Sequence, residues 1–487
     1  MYGLVFLENE TLLFGCEGDE MRKKDNDPDE ITWYWDEPTI SLDYVEHECH
    51  SLISAVWKGN EIPNVVLASA TLPGRSDLET TKANFIERFG GKVHNILSHD
   101  CRKTITLLDR DGYVIMPHTY SKDLSVVQRI TTAFLRESTL QRYLDLHLLN
   151  ESIMNMTKVL SINPEESFPR LVDINMRNLK AYYIDIILKL DDNNWSKLRE
   201  NGALSPRQRL HASVYLSTQD ARTLTGGPTI YFANDLDKIG DFLIQSSNIS
   251  SGTLLTLETD MSYNHKISHK HKQLLMKLED LQANDVSANR TNKLGNGHRD
   301  SDVVKALKSK IEQVEKAFRK LELPSKFVPN SAAHLLLHKP DSPVKTDIGK
   351  PYTTSINSQD VNAILLQDDI SAKRKLLLMM GIGILDKDQS SPYSILMKTF
   401  AATQKLFLVV ADTDYIYGTN YQFYHGYMGK DIQDITRSKI IQAMGRIGRN
   451  TAQQEFTFRF RSETHIDILL GNDAKSVEAA NFTRLLS

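Results

Sequence analysis

Cysteines, long apolar runs and an excess of one charge are what this sequence lacks. Its three cysteines, Cys16, Cys49 and Cys101, are widely spaced and odd in number, so we predict no disulfide framework or zinc motif and expect a reducing compartment. No run of 18 or more apolar residues occurs, so no membrane-spanning helix is predicted. The formal net charge is -4, so any nucleic-acid binding must come from local basic patches.

The N-terminal end has no basic segment followed by an apolar core, which is the pattern of a secretory signal. Together with the absence of a membrane span, this predicts an intracellular protein, whether cytoplasmic, nuclear or viral. The chain has 487 residues, of which 40% are hydrophobic and 25% are charged. That composition is typical of a globular protein, and that length predicts roughly two to four domains.

The strongest positive signal lies near the C-terminal end, in the segment Gln442-Ala443-Met444-Gly445-Arg446-Ile447-Gly448-Arg449. Arg446 and Arg449 each follow a glycine, and glycine lets the backbone approach a ligand closely. The arginine guanidinium is always charged and offers a planar fork of donors that matches phosphate oxygens. The segment therefore indicates a site for a polyphosphate.

Acidic and hydroxyl side chains follow two apolar runs in the first hundred residues. Asp36 and Glu37 follow the run 31–35, and Ser69-Ala70-Thr71 follows the run 64–68. Near-continuous apolar runs predict strands buried on both faces of a parallel sheet, which binds ligands at the carboxyl ends of its strands. An Asp there can hold Mg²⁺ through water, and an adjacent Glu can orient or deprotonate an attacking water.

Three later apolar runs, at 229–233, 405–410 and 455–460, also predict strands, and alternation in the last predicts a strand nearer an edge. Residues from about 100 to 222 are predicted to be mostly helical. Residues 262–326 are predicted to form an antiparallel helical hairpin, because the second arm carries apolar residues at coiled-coil spacing. The lysines of this hairpin predict either a solvated coiled-coil face or a contact arm for nucleic acid or protein.

The order of these motifs resembles that of superfamily 2 helicases, and their DExH or Ski-type branch in particular. Asp36-Glu37-Pro38-Thr39 and Ser69-Ala70-Thr71 match the D-E-x-x and S-A-T motifs, and residues 442–449 match the last motif, Q-x-x-G-R-x-G-R. Residues 411–420, which read ADTDYIYGTN, resemble motif V of that branch. The resemblance covers roughly residues 30 to 75 and 226 to 462.

The resemblance implies two RecA-like lobes that hydrolyse ATP with Mg²⁺ and move single-stranded or duplex RNA or DNA. The implied catalytic residues are Asp36, which holds Mg²⁺ through water, Glu37, Gln442, Arg446 and Arg449. Charge that develops on the transferred phosphoryl group would be met by the two arginines, an effect commonly worth about 10³ or more in rate.

The same resemblance implies how the nucleotide and the nucleic acid are linked. Ser69 and Thr71 are implied to couple the phosphate side of the site to the nucleic acid through hydrogen bonds. Thr413 and Gly418 are implied to contact nucleic-acid phosphates. Two further residues, Asn420 and Gly445, are implied to face the nucleotide.

One part of the family pattern is missing. A helicase carries the loop G-x-x-x-x-G-K-[ST] ahead of the acidic motif, and its backbone amides cradle the phosphates. The residues before Asp36 contain no Gly-Lys pair, and Gly90-Gly91-Lys92-Val93 lacks the leading glycine and the hydroxyl. Three explanations stay open: a C-terminal portion of a longer or split gene product, a separate chain that supplies the Walker A half, or a degenerate helicase.

The expected fold class is α/β, with two RecA-like parallel-sheet lobes of which the first is truncated. The expected domains are 1–100 as the partial first lobe, 101–225 as a mostly helical connection, 226–261 as the start of the second lobe, 262–326 as the hairpin insertion and 327–487 as the remainder of the second lobe. The expected function is that of an ATP-dependent helicase or translocase, and the alternative is a non-catalytic nucleic-acid-binding scaffold. Divergent helicases with large insertions are frequent in large DNA viruses, so a viral source is also expected.

Overall fold

The structure is a computed structural model, and it describes most of the chain. The described residues are 3–7, 10–14, 31–69, 71–73, 78–94, 96, 104–136, 138–202, 204, 227–289, 302–319, 321–337, 352–365, 367, 370–386, 391–416, 421–448, 456–471 and 476–487. The chain divides into two compact units. Unit 1 is Met1–Val214, Ile230–Asn234 and Asp412–Ser487, and unit 2 is Tyr215–Thr229 and Asp235–Ala411.

The fold is α/β, as predicted, and its strands form two sheets. The strands are β1 Gly3–Leu7, β2 Glu10–Phe14, β3 Thr32–Asp36, β4 Asn64–Ala68, β5 Ile105–Leu108, β6 Thr229–Phe232, β7 Ile382–Leu385, β8 Leu408–Ala411, β9 His425–Met428 and β10 Phe456–Phe460. The first sheet has the order β2-β1-β3-β4, and the second, a six-stranded parallel sheet, has the order β5-β10-β9-β6-β8-β7. In the first sheet β1 runs antiparallel to β2 and β3, whereas β3 and β4 are parallel.

Helices make up most of the remaining described chain. Unit 1 contains α1 Cys49–Lys58, α2 Glu79–Phe89, α3 Pro117–Tyr120, α4 Leu124–Arg136, α5 Leu146–Leu160, α6 Pro164–Ser167, α7 Met176–Lys189 and α8 Asp192–Glu200. Three more helices of unit 1 come late in the chain: α16 Arg437–Met444, α17 Glu463–Leu470 and α18 Val477–Leu485. Unit 2 contains α9 Leu236–Ser246, α10 Ser251–Asn289, α11 Asp302–Lys316, α12 Ala332–Leu337, α13 Ser358–Leu365, α14 Ala372–Met379 and α15 Ser391–Ala402.

The first sheet is covered on one face. Trp33 and Trp35 of β3 stack with ring centroids 5.0 Å apart and pack into a core with side chains of α1 and α18. Tyr34 and Val66 on the opposite face are 38% and 43% exposed. The expectation that these strands are buried on both faces is therefore wrong, because the alternation of a one-sided strand is hidden when every second position is also apolar.

The second sheet is buried much more completely. Every residue of β5, β6, β7, β8, β9 and β10 is buried. Strand β10 lies second from the edge of this sheet, between the edge strand β5 and β9, and it is fully buried there. The region predicted to be mostly helical does hold α3 to α8, but it begins with β5, a four-residue apolar strand that periodicity alone cannot distinguish from a helix.

The predicted hairpin is present in unit 2. Helices α10 and α11 pack in antiparallel fashion, because Asn264 bonds to the backbone of Arg319 while His271 lies 3.1 Å from Glu315. The buried stripe of α11 includes Val304, Ile311 and Val314, which is the apolar seam expected of a helix pair.

In the part of the chain that the structure describes, no helix is both long enough and apolar enough to cross a bilayer. The domain boundaries given above remain a prediction.

Candidate functional site

The carboxyl ends of β3 and β4 bring an acidic side chain and a hydroxyl together. Parallel pairing sets Asp36 opposite Ala68, and the next amide, that of Glu37, donates to the Ala68 carbonyl at 2.7 Å. Glu37 has φ of 53°, a left-handed conformation that is uncommon for a residue with a side chain. Such strained residues cluster at functional sites. The turn aims Glu37 toward the end of β4.

A directional chain of hydroxyl groups ends on the Glu37 carboxylate. The Ser69 hydroxyl donates to Glu37 Oε2 at 2.8 Å and lies 2.8 Å from Thr39 Oγ1. A serine hydroxyl has one hydrogen, so Thr39 must donate to Ser69 when Ser69 donates to Glu37. The Thr71 amide also donates to Ser69 Oγ, at 3.2 Å. Ser69 is thus fixed from three sides.

Gln442 of α16 closes this chain. Helix α16 begins after Thr436, whose hydroxyl caps the Lys439 amide at 3.2 Å. The Gln442 side chain is 2% exposed and its Nε2 donates to Thr71 Oγ1 at 2.5 Å and reaches Thr39 Oγ1 at 3.5 Å. Hydrogen bonds therefore run from the Gln442 amide through Thr39 and Ser69 to Glu37.

The side-chain oxygen of Gln442, Oε1, is buried without a hydrogen-bond partner among the described residues. Buried polar atoms are almost always satisfied by protein, water or ligand. The side-chain nitrogen faces the two threonines, and Oε1 is a buried acceptor that a water or a ligand donor could satisfy.

A second, charged group of contacts lies one helical turn earlier on α16. The Lys439 ammonium is 2.9 Å from Asp43 Oδ2, and both side chains are 6% exposed. It is also 3.2 Å from the Tyr44 hydroxyl and 3.6 Å from Asp414 Oδ1. Burial opposes the charge on Lys439, but the Asp43 carboxylate outweighs it and raises the pKa of Lys439 above its usual value. We call Asp43, Tyr44, Asp414 and Lys439 the Lys439 cluster.

Asp414 of the Lys439 cluster lies in the turn that also carries Thr413. This 3-10 turn spans Thr413–Ile416 and is closed by Asp412, whose Oδ1 accepts from the Thr413 hydroxyl at 3.3 Å and the Asp414 amide at 3.1 Å. The Tyr44 hydroxyl donates to Asp414 Oδ1 at 2.7 Å. Burial and this acceptor raise the pKa of Tyr44. The turn is thereby joined to the loop that follows β3.

The structure brings together four residues predicted from sequence. Glu37, Ser69, Thr71 and Gln442 form one hydrogen-bonded group. Thr413 lies in the turn that contributes Asp414 to the Lys439 cluster.

The remaining predicted residues are placed differently. Asp36 is exposed at the end of β3, Gly445 ends α16, and Arg446 follows it with a side chain that is 5% exposed. Arg449, Gly418 and Asn420 lie outside the described residues. Gly448 has φ of 69° and needs to be glycine for that conformation, whereas Gly445 has a helical φ of -64°.

Five residues of the site were not among the predicted site residues: Thr39, Asp43, Tyr44, Asp414 and Lys439. Lys439 lies three residues before Gln442, so helical spacing could have placed both on one face. Asp43 and Tyr44 carry no local signal, because their partner Lys439 is 396 and 395 residues away.

The exposed Asp36 carboxylate fits the kind of ligand that Mg²⁺ takes. Mg²⁺ keeps several waters and binds through one or two carboxylates together with substrate phosphates. It therefore does not need a cluster of protein ligands, and no group of three or more His, Cys, Asp or Glu side chains suited to a metal occurs within the described ranges.

No protein-family model matches this chain, and comparison with curated proteins also gave no match. The fold and the site define an α/β protein with a carboxylate and hydroxyl group at the carboxyl ends of two parallel strands.

Proposed function

We propose that this chain is the C-terminal portion of a superfamily 2 helicase or translocase and that it activates water for ATP hydrolysis at the ends of β3 and β4. The observation that supports this most is the hydrogen-bonded chain from Gln442 to Glu37. It joins three segments of the sequence that the motif resemblance had assigned to one site.

The chemistry assigned to Glu37 is acceptance of a proton from the attacking water. Ser69 donates to Oε2, so Oε1 is the oxygen assigned to the water. A positioned general base commonly contributes about 10² to 10⁴ in rate. The hydroxyl chain holds the carboxylate in one orientation, and this limits the reorganisation that proton transfer requires.

Asp36 would hold Mg²⁺ through water, and the ion would supply positive charge to the phosphates. Arg446 and Arg449 would meet the negative charge that develops on the transferred phosphoryl group. Arg446 is buried next to the C-terminal end of α16, so its assignment requires the nucleotide to bind directly against that helix end. Asn420 and Gly445 are assigned to the nucleotide, and Thr413 and Gly418 to single-stranded or duplex RNA or DNA.

The phosphate-binding loop remains to be assigned. The proposal is that a Walker A segment comes from a longer gene product or from a separate chain. Hydrolysis by the 487-residue chain is therefore expected to be weak or to require that partner, whereas nucleic-acid binding is not.

The test is ATP hydrolysis by the purified chain with and without single-stranded RNA or DNA. Glu37→Gln is expected to reduce turnover by at least about 100-fold, and Arg449→Ala by about 1000-fold. Glu46→Gln is the matched control, because Glu46 is an exposed carboxylate in the same loop region. The comparison is made under conditions in which the wild type hydrolyses ATP, alone or with an added chain that supplies the Walker A segment. Equal turnover in Glu37→Gln and the wild type under those conditions would contradict the proposal.

A non-catalytic nucleic-acid-binding scaffold is the second candidate, and the basic hairpin favours it. Exposed lysines lie on both of its arms: Lys266, Lys270, Lys277 and Lys310. This candidate predicts binding that does not depend on nucleotide and weakens steeply with salt. Replacing the four lysines with glutamine should then reduce the salt dependence on a single strand by about 0.7 in log Kd per log salt for each phosphate that a lysine no longer neutralises.

A further inference from the structure

The loop that follows β3 is held in place independently of the turn at Thr413–Ile416. Asn481 of α18 donates from Nδ2 to the Leu42 carbonyl at 3.0 Å and to the Tyr44 carbonyl at 2.8 Å. Asn481 is 6% exposed, so these bonds are shielded from water. The backbone of Tyr44 is thus a fixed point next to the candidate site.

The turn has fewer anchors of its own. It consists of four residues, and Asp414 is an exposed residue whose side chain is 44% exposed. The Tyr44 hydroxyl is 2.7 Å from Asp414 Oδ1, whereas the Lys439 ammonium is 3.6 Å from the same oxygen. The shorter contact is the hydrogen bond, since 3.6 Å exceeds hydrogen-bond length. The Tyr44 hydroxyl therefore makes a direct hydrogen bond from the fixed loop to the turn.

We propose that Tyr44 is a positioning residue, whose hydroxyl holds the turn at Thr413–Ile416 in the geometry needed to contact a nucleic-acid phosphate. The nucleic-acid part of this inference rests on the proposed function. Thr413 and Asp414 share the acceptor Asp412 Oδ1, so a shift of Asp414 moves the Thr413 hydroxyl with it. The same loop carries Thr39, whose hydroxyl belongs to the chain that ends on Glu37. Tyr44 thus joins the predicted nucleic-acid contact to the predicted hydrolytic site.

The role can be separated from simple stabilisation, because Tyr44→Phe removes one hydroxyl and keeps the ring. The substitution keeps the ring, whose centre is 4.8 Å from the Lys439 ammonium, and it keeps the ion pair between Lys439 and Asp43. It removes the hydroxyl that donates to Asp414 and accepts from Lys439. Tyr34→Phe is the matched control, since Tyr34 is 38% exposed and Tyr44 is 37% exposed in the same unit.

The experiment compares hydrogen exchange of the full chain with its affinity for a single-stranded RNA or DNA of mixed sequence. In Tyr44→Phe the amides of Asp414 and Tyr415, which bond to Asp412, should exchange at least about fivefold faster. The nucleic acid should bind about fivefold more weakly. The urea midpoint should fall by less than it does in Lys439→Met, because the Lys439–Asp43 ion pair is kept. Asp414→Asn keeps an acceptor for the tyrosine hydroxyl and should retain slow exchange. Tyr34→Phe should match the wild type in every measurement.

Two results would overturn the inference: unchanged exchange in Tyr44→Phe, or faster exchange with unchanged affinity. A wild-type chain that binds neither RNA nor DNA would contradict the proposed function, and the exchange comparison would still decide whether Tyr44 positions the turn. ATP turnover is not needed for either decision. A failed hydrolysis assay is therefore distinguishable from a failed positioning role.

Discussion

Helix α16 makes two groups of contacts one turn apart, and their chemistry differs. At Lys439 a buried ammonium meets a buried carboxylate at 2.9 Å. At Gln442 the contacts are neutral hydroxyl groups that end on a partly buried carboxylate. Breaking a buried ion pair leaves a charge in a poor solvent, whereas hydroxyl groups can exchange partners at low energetic cost. The charged group therefore fixes α16 in place, whereas the neutral group can rearrange at a lower cost in free energy.

The largest expected loss of stability comes from breaking the charged group at Lys439. Lys439→Met leaves the Asp43 carboxylate buried without its ammonium partner and should lower the free energy of unfolding by about 3–5 kcal/mol. Urea denaturation measures this, with Lys430→Met at an exposed position as the control. A decrease below about 1 kcal/mol would mean that the two groups do not differ as described.

The next largest effect is expected from breaking the neutral group of hydroxyls at Gln442. Thr39→Val keeps the shape but removes the hydroxyl between Ser69 and Gln442, and should cost about 1–2 kcal/mol of stability. Turnover should fall about ten- to hundredfold, because Glu37 loses its fixed orientation. Thr256→Val, at an exposed helical position, should change neither quantity. Full turnover in Thr39→Val would show that the hydrogen bonds from Gln442 to Glu37 have only a structural role.

The glycines after α16 sharpen the comparison, since only one needs its backbone freedom. In Gly448→Ala the alanine must adopt the left-handed φ of 69°, which should lower the free energy of unfolding by about 1–2 kcal/mol. Gly445→Ala has a helical φ, and its new Cβ would lie 3.2 Å from the Gln442 carbonyl. It should cost less than about 0.5 kcal/mol. Thermal unfolding of both variants tests the order, and an equal cost would contradict it.

The smallest effect is a pH dependence confined to the charged group. The folded-state pKa of Lys439 and of Tyr44 is raised above the ordinary values of 10.5 and 10.0. Their contribution to stability is therefore complete below about pH 10 and is lost as the pH rises through the folded-state values. Stability measured from about pH 8 to about pH 11 should decline less in Lys439→Met than in the wild type. Parallel curves would rule out this linkage.

Local signals predicted the ends of β3 and β4 well. The run Asn64–Ala68 is the observed strand β4, and the hydroxyls after it meet Glu37. Polar residues directly after an apolar run are a local pattern, and parallel pairing then brings the strand ends together. The fold class was therefore predictable from short stretches of sequence.

Contacts between residues far apart in the sequence, and the burial of charged side chains that these contacts allow, were not predictable. Arg459 made β10 look alternating and half exposed, yet it is 1% exposed, because its guanidinium donates to the carbonyls of Asp109 and Arg110. Those partners lie some 350 residues earlier. The Asp43 partner of Lys439 is equally remote. A single sequence carries no signal for such pairs, since each residue alone resembles an ordinary surface charge.

The tryptophans under the first sheet make a natural spectroscopic probe. Of the four in the chain, Trp33, Trp35 and Trp57 share one cluster, in which the ring centroids of Trp33 and Trp57 are 6.2 Å apart. Trp195 is buried in α8 instead. A Trp195→Phe protein would keep tryptophan emission only from this cluster of β3 and α1, beneath the sheet whose strands end at Glu37 and Ser69. Its fluorescence would then report ligand binding or unfolding at that sheet without any attached dye.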